Sequence, residues 1–214
     1  MTATAQSLAT SSKTHLTLKG STAMVSEFFN YSVQSLLYQR GIYPNEDFRQ
    51  IKKYGLPMLV TTDSGLEKYL NDCLQQVTRW IEEGKLTRLV VAIVEKDSGE
   101  TRERWQFDLE VTGTGTDQSS AASKKTDAQV KSEIAALIKQ ITASCTFLPI
   151  IEEPCAFNIL AYTTRLDTNV PLEWQDSDAR LIAEGKAEQV KMRSFSTGVH
   201  KVDAVVAYMR GEDD

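Results

Sequence analysis

Three thiols and two imidazoles are the side chains best suited to nucleophilic chemistry in this chain: Cys73, Cys145, Cys155, His15 and His200. A thiol hydrolase needs a cysteine whose proton passes to a histidine, a group that orients the histidine, and an oxyanion site. Cys155 and His200 form the one pair that folding could bring together for this, and nothing further in the sequence supports it. A structural zinc takes about four Cys or His ligands at short spacings, and no CxxC pair is present. Reduced thiols packed as small hydrophobes in a nuclear or cytoplasmic protein explain the three cysteines better. Gly113-Thr114-Gly115 opens like a dinucleotide loop but lacks the third glycine and an immediate helix, so a loop tip is the better reading. The Asp and Glu residues are scattered, as on solvated faces. Neither a metal nor a cofactor is expected, and the residues argue against an enzyme.

The bulk properties point the same way. At 214 residues the chain suits one large domain. Hydrophobic residues make up 41% and charged residues 25%, a balance that can bury an ordinary core. The net charge is −5 with the Lys and Arg residues dispersed, which argues against nucleic acid as a ligand, since phosphate binding needs concentrated positive potential. Residues 1–12 contain neither an apolar run nor an arginine, so no secretory or mitochondrial signal is expected. No apolar stretch approaches the roughly 20 residues of a membrane helix, so no membrane insertion is expected. The sequon at Asn30-Tyr31-Ser32 falls in a helical pattern and is set aside.

Three stripes at helical period must position whatever site exists. Val25, Phe28, Phe29, Val33, Leu36 and Leu37 form the first, which stops at Gly41 ahead of Pro44. Leu66, Tyr69, Leu70, Cys73, Leu74, Val77, Trp80 and Ile81 belong to the second, with Ser64 and Glu67 as its expected capping box and Gly84 as its end. Val130, Ile134, Leu137, Ile138 and Ile141 make the third, opened by a box of Thr126 and Gln129. Residues 89–94 read as a strand covered on both faces. Beyond the turn at Asp97-Ser98-Gly99, Trp105, Phe107, Leu109 and Val111 alternate with Gln106, Asp108 and Glu110, the pattern of a hairpin partner with one face inward. Another strand covers 155–162, and 112–127 reads as a long loop. The last quarter lacks period over 163–187, then yields strand-like pieces at 188–197 and 201–208.

Longer runs are more specific. They are Leu37-Tyr38-Gln39-Arg40-Gly41-Ile42-Tyr43-Pro44, Lys53-Tyr54-Gly55, Leu59-Val60-Thr61-Thr62-Asp63, Glu103-Arg104-Trp105-Gln106-Phe107-Asp108, Gln140-Ile141-Thr142-Ala143, Thr146-Phe147-Leu148-Pro149, Arg193-Ser194-Phe195 and His200-Lys201-Val202. In this order the chain resembles the HORMA-domain proteins of the spindle assembly checkpoint from about residue 16 to 208. The resemblance is weak in the N-terminal tail and over 112–127 and 176–187.

That resemblance implies an α+β fold, a central mostly antiparallel sheet backed by three helices. It divides the chain into a flexible tail (1–15), a single HORMA domain (16–208) and a short C-terminal tail (209–214). Residues 163–208 would be a mobile safety belt, including Trp174, Val190, Phe195, His200, Val202, Val206 and Tyr208. A peptide would add as a strand along Cys155, Ala156, Phe157, Asn158, Ile159, Leu160, Ala161 and Tyr162, with the belt closed round it. In the open state the C-terminal strands would cover that edge, and in the closed state they would cross to the other.

Lys139, Gln140, Phe147 and Arg193 would form the face on which an open and a closed molecule pair. Lysine stands at 139 where animal members carry arginine, which keeps the charge but loses the planar fork. The implied partners are a kinetochore anchor (the first-type mitotic-arrest-deficient protein) and the activator subunit of the anaphase-promoting complex. A second copy of the chain, a comet-type adaptor and an AAA+ ATPase remodeller follow from the same likeness. The implied compartments are nucleus, kinetochore and cytoplasm. A HORMA adaptor of meiotic chromosomes or of a translesion polymerase is the neighbouring alternative, and the Cys155–His200 hydrolase the alternative of a different class.

Overall fold

A computed structural model describes residues 16–113, 125–164 and 170–211. His15, Thr114, Gly115, most of the 112–127 loop and the terminal tails therefore lie partly or wholly outside the described residues.

Helix α1 (Leu18–Gln39) buries Val25, Phe28, Phe29, Val33, Leu36 and Leu37. It ends in a Schellman motif, with Ile42 N bonded to Leu37 O, Gly41 N to Tyr38 O, and Gly41 at φ 65°. Helix α2 (Ser64–Glu82) is capped one residue earlier than the spacing of Ser64 and Glu67 predicts: Leu66 N donates to Asp63 Oδ1 at 2.6 Å. An aspartate in extended backbone satisfies the orphan amide and sets its charge at the positive end of the helix. Helix α3 (Asp127–Ser144) carries the expected box of Thr126 and Gln129.

Two strands unforeseen in the sequence, β1 (Phe48–Lys53) and β2 (Leu56–Thr61), form a small antiparallel sheet against α1. Tyr54 and Gly55 both take positive φ between them, as a two-residue primed turn requires. Tyr54 tolerates this conformation while its hydroxyl donates to Glu27 and its ring meets Tyr31 edge-on at 6.2 Å.

The main sheet contains β3 (Leu86–Glu95), β4 (Thr101–Val111), β5 (Cys155–Thr163), β6 (Ala187–Ser196) and β7 (His200–Met209). Its order is β5-β3-β4-β7-β6, and every neighbouring pair is antiparallel. Residues 89–93 are wholly buried, as a strand covered on both faces must be. On β4, Trp105, Phe107 and Leu109 point into the core, whereas Val111, paired with His200 at the strand end, is exposed. The three helices pack on one face. Phe28 of α1 meets Phe107 at 5.6 Å and Phe195 of β6 at 4.9 Å, so the C-terminal hairpin reaches the centre of the core.

Candidate functional site

Strand β5 is an outer strand that, among the described residues, pairs only with β3. Its predicted residues divide between two faces. Cys155 and Ile159 are buried, and Phe157 packs among the rings of Tyr43 and Tyr69 on the helix side. Asn158, Leu160 and Tyr162 stand on the opposite face, aligned with Ala92, Val90 and Arg88. Ala156 is exposed and Ala161 half-buried.

A strap crosses the free edge of β5. Trp174 packs edge-on against Trp80 of α2, with ring centroids 5.0 Å apart at 75°. A few residues later, Ala179 offers its carbonyl to Arg104 Nε at 3.2 Å, on the face of the sheet away from the helices. The backbone has passed from one face to the other around β5. It then reaches β6 at the far edge, where Arg210 N bonds to Lys186 O. Between strap, α2 and β5 lies a cleft of about 800 Å³. Tyr69, Cys73 and Gln76 line one wall, Asn158, Leu160 and Tyr162 the floor, and residues 171–179 the roof. Asp72, Glu173, Asp176 and Asp178 face it against a single lining guanidinium, Arg79. Burial pushes the Cys73 thiol above its ordinary pKa, so it stays a neutral, weakly nucleophilic wall group.

The remaining safety-belt residues lie on the β6–β7 hairpin. Val190 opposes Val206, Phe195 opposes Val202, and the Tyr208 hydroxyl donates to Glu188 at 2.7 Å. His200 is wholly buried: its Nδ1 shares a 2.6 Å hydrogen bond with Ser21 Oγ, which stands 2.5 Å from Thr197 Oγ1. Among the described residues His200 Nε2 has no partner, and burial lowers the imidazole pKa.

This geometry overturns the Cys155–His200 pairing. Cys155 aligns with Glu95 at one end of the sheet, while His200 aligns with Val111 at the other end and three strands away. About ten strand residues separate those ends, roughly 30 Å. Burial also raises the Cys155 pKa.

Of the four residues expected on a pairing face, Gln140 and Arg193 are brought together, with Arg193 N donating to Gln140 Oε1 at 2.7 Å. Lys139 is exposed beside them on α3, and Phe147 beyond the helix end is 48% exposed, large for an aromatic. Gly113 is a matter of fit: a Cβ there would stand 2.9 Å from Gly198 O in the β6–β7 turn.

Sequence reasoning missed the α2 wall and Arg104. Tyr69, Cys73 and Trp80 were read only as a helical stripe, and Arg104 only as part of a familiar run. The sequence carries no signal for Arg104, which on its face of β4 is one charged residue in a row with Arg102, Asp108 and Glu110.

An antiparallel five-strand sheet with helices on one face, an outer strand β5 and a strap leading to a docked terminal hairpin is the architecture of a HORMA domain. The model of the HORMA domain matches residues 21–200, and the chain belongs to that family. It is 47% identical over 196 residues to the mitotic spindle checkpoint component mad2 of Schizosaccharomyces pombe, covering 92% of this chain and 95% of the relative. It is 46% identical over 193 residues to the mitotic spindle assembly checkpoint protein MAD2A of Homo sapiens, covering 90% and 92%. A chain of the crystal structure of the mitotic checkpoint complex superposes with a TM-score of 0.80 at 46% identity, covering 89% of this chain and 99% of that one.

Proposed function

We propose that this chain is a spindle checkpoint switch that captures a peptide segment by adding it as a strand to β5 beneath the strap, thereby inhibiting the anaphase-promoting complex and delaying anaphase. The observation that carries the reading is the unpaired outer edge of β5 facing an 800 Å³ cleft under residues 171–179. An unsatisfied strand edge binds an extended segment through main-chain hydrogen bonds, while the walls select its side chains. Four carboxylates against one guanidinium favour a segment carrying Lys or Arg. The chemistry is capture, not catalysis.

The resemblance to checkpoint proteins supports two segments as ligands, one in a kinetochore anchor and one in the activator of the anaphase-promoting complex. It equally supports action in the nucleus, at kinetochores and in the cytoplasm. The hairpin supports a switch: among the described strands β6 pairs with β7 alone, so the pair can leave β4 for the β5 edge as one unit with its internal ladder intact. Lys139, Gln140, Phe147 and Arg193 are the proposed face on which open and closed copies meet. A comet-type adaptor and an AAA+ remodeller belong to the same scheme. Light scattering on Phe147→Ala tests the pairing face: loss of the dimer is expected, and an unchanged dimer refutes it.

The test of capture is selection of peptides from a displayed library on the purified protein, followed by amide exchange. Slowed exchange along 155–163 and 171–179 is expected. Peptides that protect the α3–β6 face instead, or none that bind, overturn the reading.

A further inference from the structure

We infer that Arg104 is the latch of the strap, a positioning residue that sets how long a captured segment stays bound; this rests on the capture reading above. Arg104 lies mid-strand on β4, on the sheet face away from the helices, and is 7% exposed. Among the described residues it has no carboxylate partner. A guanidinium so far out of water depends on neutral acceptors for its solvation.

Those acceptors come from three separate elements. Arg104 Nη1 donates to Gln106 Oε1 on its own strand at 2.6 Å. Nη2 donates to Tyr162 Oη on the peptide-binding strand at 3.1 Å. Nε donates to Ala179 O on the strap at 3.2 Å. The first two partners sit on the rigid sheet and are themselves held. Gln106 Nε2 donates to Asp108 Oδ2 at 2.8 Å, Asp108 pairs with Arg88 at 2.5 Å, and the Tyr162 ring lies near both guanidiniums, at 5.5 and 6.0 Å. The fork is therefore fixed before the strap arrives, and closure orders no long side chain to gain a charge-assisted bond. The strap backbone answers with a forced turn. Arg180 takes φ 50°, a left-handed conformation uncommon for such a residue, directly after the bonded carbonyl. Lysine cannot replace this donor, because one ammonium does not present three in-plane directions.

Since Tyr162 also belongs to the strand that a segment would join, the latch touches both strap and binding edge. It acts after the strap has closed, so it should govern release and leave association nearly untouched.

The test uses the full chain with Arg104→Met and Arg104→Lys, and a fluorescent peptide selected on the unaltered protein. For both variants the dissociation rate should rise about tenfold or more, with association within about twofold. In the free variants, amide exchange should speed up over residues 172–183 and not along β3 or α1. A dissociation rate unchanged within about twofold overturns the proposal. So does exchange that rises equally through the sheet, which marks a merely structural arginine. If the unaltered protein captures no peptide, the capture reading fails, and the exchange measurement still decides the latch.

Discussion

Trp174 of the strap rests edge-on against Trp80 of α2, ring centroids 5.0 Å apart, and Trp80 is itself 3% exposed in the core. The strap is thus fastened on the helix side by an aromatic pair before it turns round the edge of β5. Aromatic pairs of this geometry contribute about 0.5–1.5 kcal/mol beyond the area they bury. Trp174→Ala should therefore raise the dissociation rate of a bound peptide by about tenfold while leaving thermal unfolding of the sheet close to its original midpoint. Stopped-flow displacement and calorimetry measure the two. An unchanged release rate would remove Trp174 from the mechanism.

Deletion of residues 201–214 should abolish stable capture. Without β7, the edge of β4 loses its partner and β6 has nothing to pair with. The strap then has no anchor at the far end of the sheet. Binding of a selected peptide by anisotropy should weaken by at least a hundredfold, on the order of 3 kcal/mol. Full-affinity binding by the shortened chain contradicts the strap mechanism.

His200 makes docking of the hairpin sensitive to acid. Burial lowers its folded pKa below the ordinary value, so the neutral ring is the form that fits beside Ser21 and Thr197. The stabilisation it brings is present above the unfolded histidine pKa of about 6.5 and is lost as pH falls toward the folded value. Over that window stability should drop by about 1.4 kcal/mol per pH unit from this residue. Denaturant melts at stepped pH should show a flatter profile in His200→Gln; identical profiles exclude this histidine as the source.

Arg40 and Glu103 form a buried ion pair at 2.6 Å, with side chains 6% and 2% exposed. Arg40 also donates to Pro149 O, and Glu103 accepts from Trp105 Nε1 at 2.8 Å. Arg40→Met leaves the carboxylate buried with one remaining donor and should destabilise the fold by about 3–5 kcal/mol. Arg40→Met combined with Glu103→Leu should recover most of that loss, because no uncompensated charge remains. A double-mutant cycle by urea unfolding decides it, and additive effects would mean that the pair does not act as a unit.

Much of this architecture was legible in the residues themselves. The stripes through Phe28, Leu70 and Ile134 fix three helices, because burying one face of a helix imposes its period on the chain. The alternation Trp105, Phe107, Leu109 fixes β4 for the corresponding reason in strands. The β1–β2 hairpin was not legible. Its turn is Tyr54-Gly55 in place of an asparagine-glycine pair, and what holds Tyr54 there is Glu27, distant in sequence. The cap of α2 shifted from Ser64 to Asp63 because both types accept an amide bond, and only backbone geometry chooses between them. The strand at 155–162 was legible as a strand, but its role as the binding edge came only by resemblance, since nothing in its composition says that one edge stays unpaired. Arg104 was passed over for a similar reason: its acceptors come from residues 106, 162 and 179, a convergence that exists only after folding.

The bare edge of β5 has a second consequence. A row of unpaired backbone groups is also a template on which copies of the same chain can stack into aggregates. By crossing that edge between Trp174 and Ala179, the strap stands in the way of any sibling strand. A molecule unfastened there, with no segment in place, is the form most prone to come out of solution.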